Sequence, residues 1–565
     1  MPRMTGGEAI AKTLVAYGVE CVFGMTVTTE VPLTMSLIGS GVKMMTVRGE
    51  TAGSMMATAY SKISGKPGVC LVSGAGSAHA ALGMYEANLS SNAIVVISSD
   101  AAPSGAWRPG GTYLDQTQLF QQVSKWTVKA EVLESLPEII SRALRVSTTG
   151  APGPVAVIVP GNLFSEEGDF QIPTPSQPAM HPALRAAPGS EPIQAAAKVL
   201  LDASKPAIIA GGGVSLAGAS DELLELAELM SMPVATTHIA HGTFPTDHPL
   251  CAHVVGSANA GNRGRIANKI IEDSDTVLLI GTRMDARTTN SWTLPTPGTK
   301  IVQIDADPEE IGSNFDVEVG VVGDAKLALQ ALLDALKGQI QQRQAAVESP
   351  RAREIASMTE EWRTEFAPQM ESDATPIRTP RLFREIQKFI DKDTIVVLDA
   401  GSTSYWSPAY LDLKPENQAL YPRGYAALGS AFPMALGAQM AAPNKKVISI
   451  SGDGAYGYNI MELETAMRMG LPVVCIVINN HTLGMERRGY LAYAGEIPPS
   501  AVNFSPQDFS KIAQAYDCYG TVVEKPGDIG AAIAAAFASG KPAIIDVRTD
   551  PEDSDSNETR PWRSY

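Results

Sequence analysis

The sequence predicts an α/β fold made of three doubly wound domains with parallel sheets, and three observations lead to it. At 565 residues the chain is too long for one hydrophobic core and has the length of three ordinary domains. Short apolar runs rich in β-branched residues alternate along it with segments of helical composition. Several of these runs end in a glycine turn that opens a helix, which is the strand–turn–helix order of a parallel sheet.

Changes in composition divide the chain. A first domain is predicted over 1–165, a middle domain over 190–340 and a third domain over 370–550, followed by a polar tail at 551–565. Residues 166–191 hold five prolines and little periodicity, so we predict a linker there. The aromatic end of the tail is expected to fold over the functional site as a lid.

Composition argues against several classes of partner. The net charge of −16 disfavours nucleic acid or an anionic membrane. The sequence has no apolar run long enough to span a bilayer and no N-terminal signal pattern, so we expect a cytoplasmic protein. The five cysteines are scattered without a CxxC pair, which argues against a disulfide framework and a zinc site.

In the first domain, an acid and two glycines are predicted to lie at junctions between a strand and the helix that follows it. The segment Thr5–Glu8 is predicted to be a capping box that opens a helix. The strand VKMMTV leads to Glu50 and a helix of small residues, and on structural grounds alone Glu50 is a residue that caps this helix. The strand GVCLVS is followed by a turn with Gly74 and Gly76 and by another helix.

The middle domain is predicted from strand-like segments that alternate with helices, among them PAIIAGGGV, DTVLLIGTRMDARTT and KIVQIDADPEEIG. Its three consecutive glycines at 211–213 only weakly indicate dinucleotide binding, because the spacing of a full glycine fingerprint is absent.

The third domain contains the most informative stretch, residues 451–488. The apolar run VISIS ends in Gly452-Asp453-Gly454, a helix is predicted over Met461–Met469, and the run VVCIVI ends at Asn479-Asn480. A glycine and a proline close the predicted helix. A right-handed crossover makes the two strands parallel, so we expect Asp453 and Asn480 to meet at one edge of the sheet.

The residues at this edge are suited to a metal-bound diphosphate. The Asp453 carboxylate and the Asn480 amide oxygen are hard ligands that suit Mg²⁺, and we expect the Thr482 backbone carbonyl to supply another. Gly452 and Gly454 let backbone N–H groups approach a phosphate at a helix N-terminus. The alternative is an ordinary βαβ unit with a turn aspartate and a capping asparagine, which leaves these features coincidental.

This stretch resembles the metal and diphosphate motif of thiamine diphosphate (ThDP) enzymes, in particular the group built like the acetolactate synthase large subunit, and the similarity runs the length of the chain. The resemblance implies a pyrimidine-binding first domain and a diphosphate-binding third domain. It implies that Glu50 hydrogen-bonds the aminopyrimidine ring and so promotes removal of the weakly acidic thiazolium proton. Acetolactate synthases usually have His before this Glu, whereas Gly49 is present here, which leaves the substrate open.

The resemblance also implies other contacts with the cofactor. Gly74, Gly76 and Ser77 would face it from the partner subunit. The segment RGYAALGS would pass beneath its rings, where Leu428 would hold it bent and the Ala426 carbonyl would accept from its 4′-amino group; otherwise Leu428 is a core leucine. The diphosphate and metal contacts implied are Ser402, Thr403, Gly452, Asp453, Gly454, Ala455, Asn480 and Thr482.

Four side chains are candidates to lie near the substrate, and the resemblance implies this for Gln116 and Arg287. Gln116 falls on a Gln-containing active-site loop, although a Gln in a polar loop is commonly just solvated. Arg287 would meet a substrate carboxylate through its planar fork, or else pair with Asp285. After LGM the sequence departs from acetolactate synthases, and Arg487 and Arg488 follow there. These two arginines could bind an acidic or phosphorylated acceptor, or else belong to a solvated charged face. Whether the middle domain binds FAD or another adenine-containing ligand is left open.

The resemblance implies a ThDP- and Mg²⁺-dependent carboligase. The cofactor would attack a 2-keto acid, with pyruvate the favoured donor, CO₂ would leave, and the enamine would add to a second carbonyl. The alternatives are a 2-keto acid decarboxylase, a 2-hydroxyacyl or 2-hydroxyacyl-CoA lyase acting on an acyloin-type substrate, and a non-catalytic subunit that binds a nucleotide or CoA. Because Glu50 and Asp453 lie in separate domains, a homodimer or homotetramer with sites at the subunit interface is implied.

Overall fold

Three α/β domains with parallel sheets make up the protein, as the sequence predicts. The structure is a computed structural model and describes residues 3–105, 114–257, 261–340 and 348–553. Its main sheets have six, six and five strands, and every strand pair within them is parallel. The aromatic end of the tail, with its expected lid, lies outside the described residues. Every helix in the described ranges is too short or too polar to cross a bilayer.

The described residues of the first domain form eight strands and seven α-helices. The strands are β1 (Arg3–Thr5), β2 (Cys21–Gly24), β3 (Lys43–Thr46), β4 (Gly68–Ser73), β5 (Ile94–Asp100), β6 (Trp126–Lys129), β7 (Val155–Pro160) and β8 (Glu167–Asp169). The helices are α1 (Gly6–Ala16), α2 (Val31–Gly39), α3 (Glu50–Ser64), α4 (Ala75–Leu89), α5 (Gln116–Gln121), α6 (Leu136–Thr148) and α7 (Gly161–Ser165). The sheet order is β3-β2-β4-β5-β7-β6.

Local signals at the start of this domain are partly as predicted. The capping box is confirmed, since the Thr5 hydroxyl accepts from the Glu8 N–H and the Glu8 carboxylate accepts from the Thr5 N–H. The linker prediction is wrong in one part, because β8 pairs antiparallel with β1. These strands have three residues each, too few to give a periodic pattern, and only their pairing across the domain reveals them.

In the middle domain, the part of the chain that the structure describes forms six strands and five α-helices. The strands are β9 (Pro206–Ala210), β10 (Val234–Thr236), β11 (Cys251–Val254), β12 (Thr276–Ile280), β13 (Lys300–Asp305) and β14 (Val319–Val322). The helices are α8 (Ser190–Leu201), α9 (Gly212–Ala217), α10 (Ser220–Met230), α11 (Gly264–Glu272) and α12 (Ala325–Lys337). The sheet order is β11-β10-β9-β12-β13-β14.

The third domain and the helix that leads into it complete the described chain. The strands are β15 (Thr394–Leu398), β16 (Lys446–Gly452), β17 (Val474–Asn479), β18 (Tyr519–Val523) and β19 (Ala543–Arg548), in the order β15-β16-β17-β19-β18. The helices are α13 (Pro350–Met370), α14 (Thr379–Gln387), α15 (Thr403–Tyr410), α16 (Ala431–Ala441), α17 (Asp453–Tyr456), α18 (Glu462–Met469), α19 (Gly484–Ala494), α20 (Pro499–Val502), α21 (Phe509–Ala515) and α22 (Ile529–Ala538).

The predicted strand–turn–helix–strand unit is present in this domain. β16 and β17 are parallel neighbours, and α18 ends at Gly470, whose φ of +63° is the left-handed conformation that glycine favours at this position. Asp453 begins the short helix α17, so a separate helical turn precedes the predicted helix. Both Asp453 and Asn480 therefore lie at the carboxyl edge of the sheet, where open α/β folds bind ligands.

The first and third domains share one hydrophobic core. Side chains of β2, β4 and β5 on one face of the first sheet and of β16 and β17 on one face of the third belong to a single buried cluster. Helices α3 and α16 meet within it, and a Cβ added to Gly437 would lie only 2.1 Å from the Met56 carbonyl oxygen. Glycine at this position therefore sets how closely the two domains approach.

Candidate active site

The carboxyl ends of β15, β16 and β17 surround a small polar space. A Cβ added to Gly484, at the start of α19, would lie 3.5 Å from Asn480 Nδ2 and 3.6 Å from Ser402 Oγ. A Cβ added to Gly452 would lie 3.9 Å from Thr403 Oγ1. The structure thus brings together residues that the sequence places in three segments, and two glycines keep the space between them clear.

Asp453 supplies a buried carboxylate oxygen that lacks a partner. Its side chain is 7% exposed, and Oδ1 accepts from the Gly454 N–H at 2.7 Å. Oδ2 is buried and has no hydrogen-bonding partner among the described residues. Burial raises the pKa of Asp453 to about 7, although the backbone N–H groups of Gly454, His481 and Thr482 oppose the rise. A divalent cation would satisfy this oxygen, so the site fits the metal that the sequence predicts.

Asn480 and Thr482 stand opposite Asp453 in a tight turn. The Asn480 amide oxygen accepts from the Thr482 N–H at 3.2 Å, and His481 between them has a φ of +58°. The Thr482 hydroxyl donates to the Val502 carbonyl at 3.1 Å, which fixes the far side of the turn. An amide oxygen has two lone pairs, so Asn480 retains one for a ligand.

The loop before α16 carries Ala426 and Leu428. Ala426 has a φ of +60°, a conformation that is uncommon for a residue with a side chain and that concentrates at functional sites. Leu428 is half-buried, and a Cβ added to Gly401 would lie 3.9 Å from its Cδ2 atom. The Leu428 side chain therefore lies over the turn that carries Ser402 and is more exposed than a core leucine.

Asp399 holds this loop in place, a role that the sequence analysis missed. Its carboxylate is fully buried and accepts from the N–H groups of Gly429 at 3.0 Å and Ala431 at 3.3 Å and from the Ser451 hydroxyl at 2.9 Å. Burial raises the pKa of Asp399 to about 6, against the effect of these donors. The sequence contained a signal for this role, because an acid directly follows the apolar run TIVVL. Acids are rarely buried unless their carboxylate has partners.

In the first domain, Glu50 begins α3 and lies against the glycine turn of α4. A Cβ added to Gly76 would lie 2.5 Å from Glu50 Oε1, so only glycine leaves room for this carboxylate. Glu50 Oε2 is 3.1 Å from His79 Nδ1, a contact that the sequence analysis missed. Gly74 has a φ of 42°, which a residue with a side chain would adopt only at a cost.

Gln116 is buried and is held by strand β5. Its side chain is 2% exposed, its amide nitrogen donates to the Ser99 carbonyl at 3.0 Å, and its amide oxygen accepts from the Ser98 hydroxyl. The alternative of a solvated loop residue is therefore wrong. The amide lies at the same carboxyl edge of the sheet as Gly74, whose N–H donates to Ser99.

Two glutamates join the first and third domains near the two half-sites. Glu462 accepts from the Arg48 and Gly49 N–H groups at 2.9 and 3.1 Å, directly before Glu50. Glu86 accepts from the Gly424 and Tyr425 N–H groups, both at 2.8 Å. Both contacts were missed from sequence because the partners are more than 300 positions apart. Among the described contacts, none joins the Glu50 carboxylate to Asp453 of the same chain.

A cavity of about 680 Å³ lies where the three domains meet. Its middle-domain wall includes Gly213 and Gly281, which approach so closely that a Cβ on Gly213 would lie 2.7 Å from Gly281 Cα. Asp305, at the end of β13, also lines it, and burial raises the pKa of Asp305 to about 6. The position at strand ends and the volume are those of a small-molecule site.

The predicted substrate arginines have different surroundings. Arg287 is half-buried and lines this cavity, and the described ion pairs do not include one between Arg287 and Asp285. Arg487 instead forms an ion pair with Glu552, so its guanidinium group already has an anionic partner. Arg488 lies on the inner side of α19, where burial lowers its pKa and Tyr405 is nearby.

In a comparison with known proteins, three family models match successive parts of the chain. Residues 4–121 match the N-terminal TPP binding domain of thiamine pyrophosphate enzymes, residues 193–332 their central domain and residues 399–547 their C-terminal TPP binding domain.

Curated relatives match over nearly the whole chain. A probable acetolactate synthase large subunit of Methanocaldococcus jannaschii is 31% identical and is aligned over 98% of this chain and 93% of that protein. The acetolactate synthase large subunit of Haemophilus influenzae is 28% identical and is aligned over 97% of this chain and 95% of that protein. A sulfoacetaldehyde acetyltransferase of Alcaligenes xylosoxydans xylosoxydans is 28% identical and is aligned over 96% of this chain and 93% of that protein.

Proposed function

Because this chain belongs to the ThDP-dependent enzymes of the acetolactate synthase large-subunit group, we propose that it decarboxylates pyruvate and joins the remaining two-carbon unit to a second carbonyl compound. The family establishes a ThDP-dependent enzyme that forms carbon–carbon bonds. Pyruvate as donor, Mg²⁺ as metal and the residue roles below belong to the proposal, as do the domain limits of 1–165, 190–340 and 370–550.

The observation that carries the proposal is the unpartnered Asp453 oxygen beside Asn480. Asp453, the Asn480 amide oxygen and the Thr482 backbone carbonyl would hold Mg²⁺. Ser402 and Thr403 lie close enough to this group to bind the diphosphate with their hydroxyls, together with the backbone of Gly452, Gly454 and Ala455. ThDP, when bound, supplies a nucleophilic carbon and accepts the electron pair released with CO₂.

Glu50 would exchange a proton with the pyrimidine ring. Its carboxylate is placed by Gly76 on one side and by His79 on the other, so a single orientation is favoured before the cofactor binds. Leu428 would press the two rings of the cofactor into a bent form, and the strained Ala426 would present its carbonyl to the 4′-amino group. Gln116 would face the reacting carbon only after leaving its contacts with Ser98 and Ser99.

The placement of the half-sites supports an active site shared by two chains. Within one chain the contacts described for Glu50 are with Gly76 and His79 of its own domain, and the Asp453 group has its partners in the third domain. A homodimer, or a homotetramer made of two such dimers, would place Glu50 of each chain opposite Asp453 of the other.

The cavity between the domains is proposed to bind FAD or another adenine-containing ligand. The close approach of Gly213 and Gly281 allows a ligand to lie near the backbone, and the Asp305 carboxyl stands at the strand end where a ribose hydroxyl would be bound. Spectra and calorimetry of the purified protein would identify the ligand.

Product analysis tests the proposed reaction. The purified protein is incubated with ThDP, Mg²⁺ and pyruvate, and CO₂, acetolactate and acetaldehyde are measured. Acetolactate with one CO₂ per molecule is expected. CO₂ with acetaldehyde alone would instead identify a decarboxylase, and cleavage of a 2-hydroxyacyl compound without turnover of pyruvate would identify a lyase.

A further inference from the structure

Three arginines from different elements converge beside the proposed active site. Arg287 comes from the loop after β12, Arg423 from the loop before α16 and Arg488 from α19. Arg287 and Arg423 both line the cavity between the domains, and their positive charges, after burial itself, help to lower the pKa of His238. We call these three residues the arginine cluster.

Arg423 is held by two hydroxyl groups and forms no ion pair with a carboxylate of the described residues. It is 5% exposed, its two terminal nitrogens donate to the Ser404 hydroxyl at 3.1 Å and the Tyr405 hydroxyl at 3.3 Å, and its guanidinium lies 5.1 Å from the Tyr405 ring centroid. Its Nε is buried and has no hydrogen-bonding partner among the described residues. A buried cation whose hydrogen bonds go only to neutral groups is costly, and an anionic ligand would lower that cost.

The acids described near Arg287 and Arg423 form no ion pair with either arginine. Burial raises the pKa of Glu86, and the nearby charge of Arg423 only partly opposes that rise. The two Glu86 oxygens accept from backbone N–H groups. Asp285 accepts from the Thr288 N–H and is exposed. Two other arginines of the cavity wall are paired, Arg185 with Asp324 and Arg283 with Glu310. Arg287 and Arg423 are therefore the arginines of the described wall for which no ion pair is described.

The part of the cavity wall formed by Arg423 adjoins the turn proposed to bind the diphosphate. Ser404, which binds Arg423, directly follows Thr403, and Arg423 itself precedes the strained Ala426 in the loop that carries Leu428. The rings of His238 and Tyr405 lie beside Arg423, with ring centroids 6.2 Å apart. A group bound by Arg287 and Arg423 would thus lie beside the turn that carries Thr403 and Ser404.

We propose that Arg287 and Arg423 together bind two acidic groups of the acceptor, so that the preferred acceptor is a small keto diacid and not the monoanion pyruvate. This inference rests on the proposed function and names the substrate class of the same site. The bond forms between the carbonyl carbon of the donor and that of the acceptor, the carboxylate of the donor leaves as CO₂, and a proton neutralises the new alkoxide. The oxidation states balance without another reactant.

Competition between acceptors tests the proposal. With pyruvate as donor in the holoenzyme, pyruvate and 2-oxoglutarate are offered together as acceptors, and the ratio of the two acyloin products is measured. We expect the wild-type ratio to favour the diacid, and Arg423→Met to lower the ratio by about tenfold or more, the range for a lost charge-assisted hydrogen bond. Arg423→Lys should keep part of the preference, because it keeps the charge.

Two further variants keep the test decisive. Arg287→Met should lower the same ratio. Because Arg287 lies in a different loop, this variant still tests the proposal if Arg423→Met does not fold. Arg363→Met is the matched control, since Arg363 forms an exposed ion pair with Glu360 on α13 and should leave the ratio unchanged.

Each contrary result has a distinct meaning. A wild-type enzyme that makes acetolactate but disfavours the diacid, or variants that lower both products equally, would overturn the diacid proposal alone. A change confined to calorimetric binding of FAD or ADP would assign the arginine cluster to the phosphates of a nucleotide and also overturn it. Failure to consume pyruvate with either acceptor would instead overturn the proposed function.

Discussion

Replacing Asp453 with Asn is expected to stabilise the metal-free protein while abolishing its activity. Burial raises the pKa of this carboxyl from 3.8 to about 7, and roughly three pH units at 1.36 kcal/mol each correspond to about 4 kcal/mol against the ionised form. In the unfolded chain the group ionises near pH 4. The penalty is therefore absent below about pH 4, grows as the pH rises, and is complete above about pH 7. Asn carries no charge and avoids it.

Thermal unfolding of the metal-free protein at pH 8 and pH 5 measures this effect. We expect the Asp453→Asn variant to unfold at a higher temperature than the wild type at pH 8, and the difference to shrink at pH 5. Adding Mg²⁺ and ThDP should raise the unfolding temperature of the wild type and not that of the variant, since only the wild type retains the ligand. The exposed Asp393→Asn is the matched control.

Two outcomes would refute this reasoning. A variant that is less stable than the wild type at pH 8 would show that Asp453 has a partner in the metal-free protein. A variant that still gains stability from Mg²⁺ together with ThDP would show that the metal is bound elsewhere.

Three further substitutions test the two half-sites. Glu50→Gln keeps the shape of the side chain and removes its proton exchange, so we expect turnover to fall by about 10²–10⁴-fold while calorimetry still detects ThDP binding. Gly76→Ala would bring a Cβ to 2.5 Å from Glu50 Oε1 and should lower turnover with little change in unfolding temperature, whereas Gly527→Ala, which has open space, should change neither. Asp399→Asn leaves one acceptor oxygen for four donors, the N–H groups of Ala400, Gly429 and Ala431 and the Ser451 hydroxyl. It should cost about 1–3 kcal/mol in unfolding free energy, measured with denaturant, and should also lower activity; unchanged values would contradict its role in holding the loop.

Local patterns were sufficient to predict the diphosphate half of the site. Strands ending in a glycine turn, a helix closed by Gly470 and a second apolar run define a parallel βαβ unit, and the crossover then brings Asp453 and Asn480 to one edge. Each step depends on residues within about 30 positions, where periodicity and turn chemistry are informative.

Contacts between distant segments could not be predicted in the same way. Glu86 on α4 and Glu462 at the start of α18 are ordinary helical glutamates in the sequence. Only the packing of the first domain against the third places them beside backbone N–H groups of the other domain. The orientation of Arg487 and Arg488 also depends on packing, since successive residues on a helix face different directions. The structure directs Arg487 to Glu552 and Arg488 towards Tyr405, which the charge pattern alone could not separate.

In the proposed dimer, the hydrogen bond that the Gly49 N–H donates to Glu462 would link neighbouring catalytic centres. Glu462 begins the helix that follows the proposed metal-binding turn of its own chain, and Gly49 immediately precedes the carboxylate that would serve the other centre. A shift of that turn when one centre fills would pass through the Glu462 carboxylate to the second centre. The two centres of a dimer would then fill unequally, the first loading altering the affinity of its neighbour.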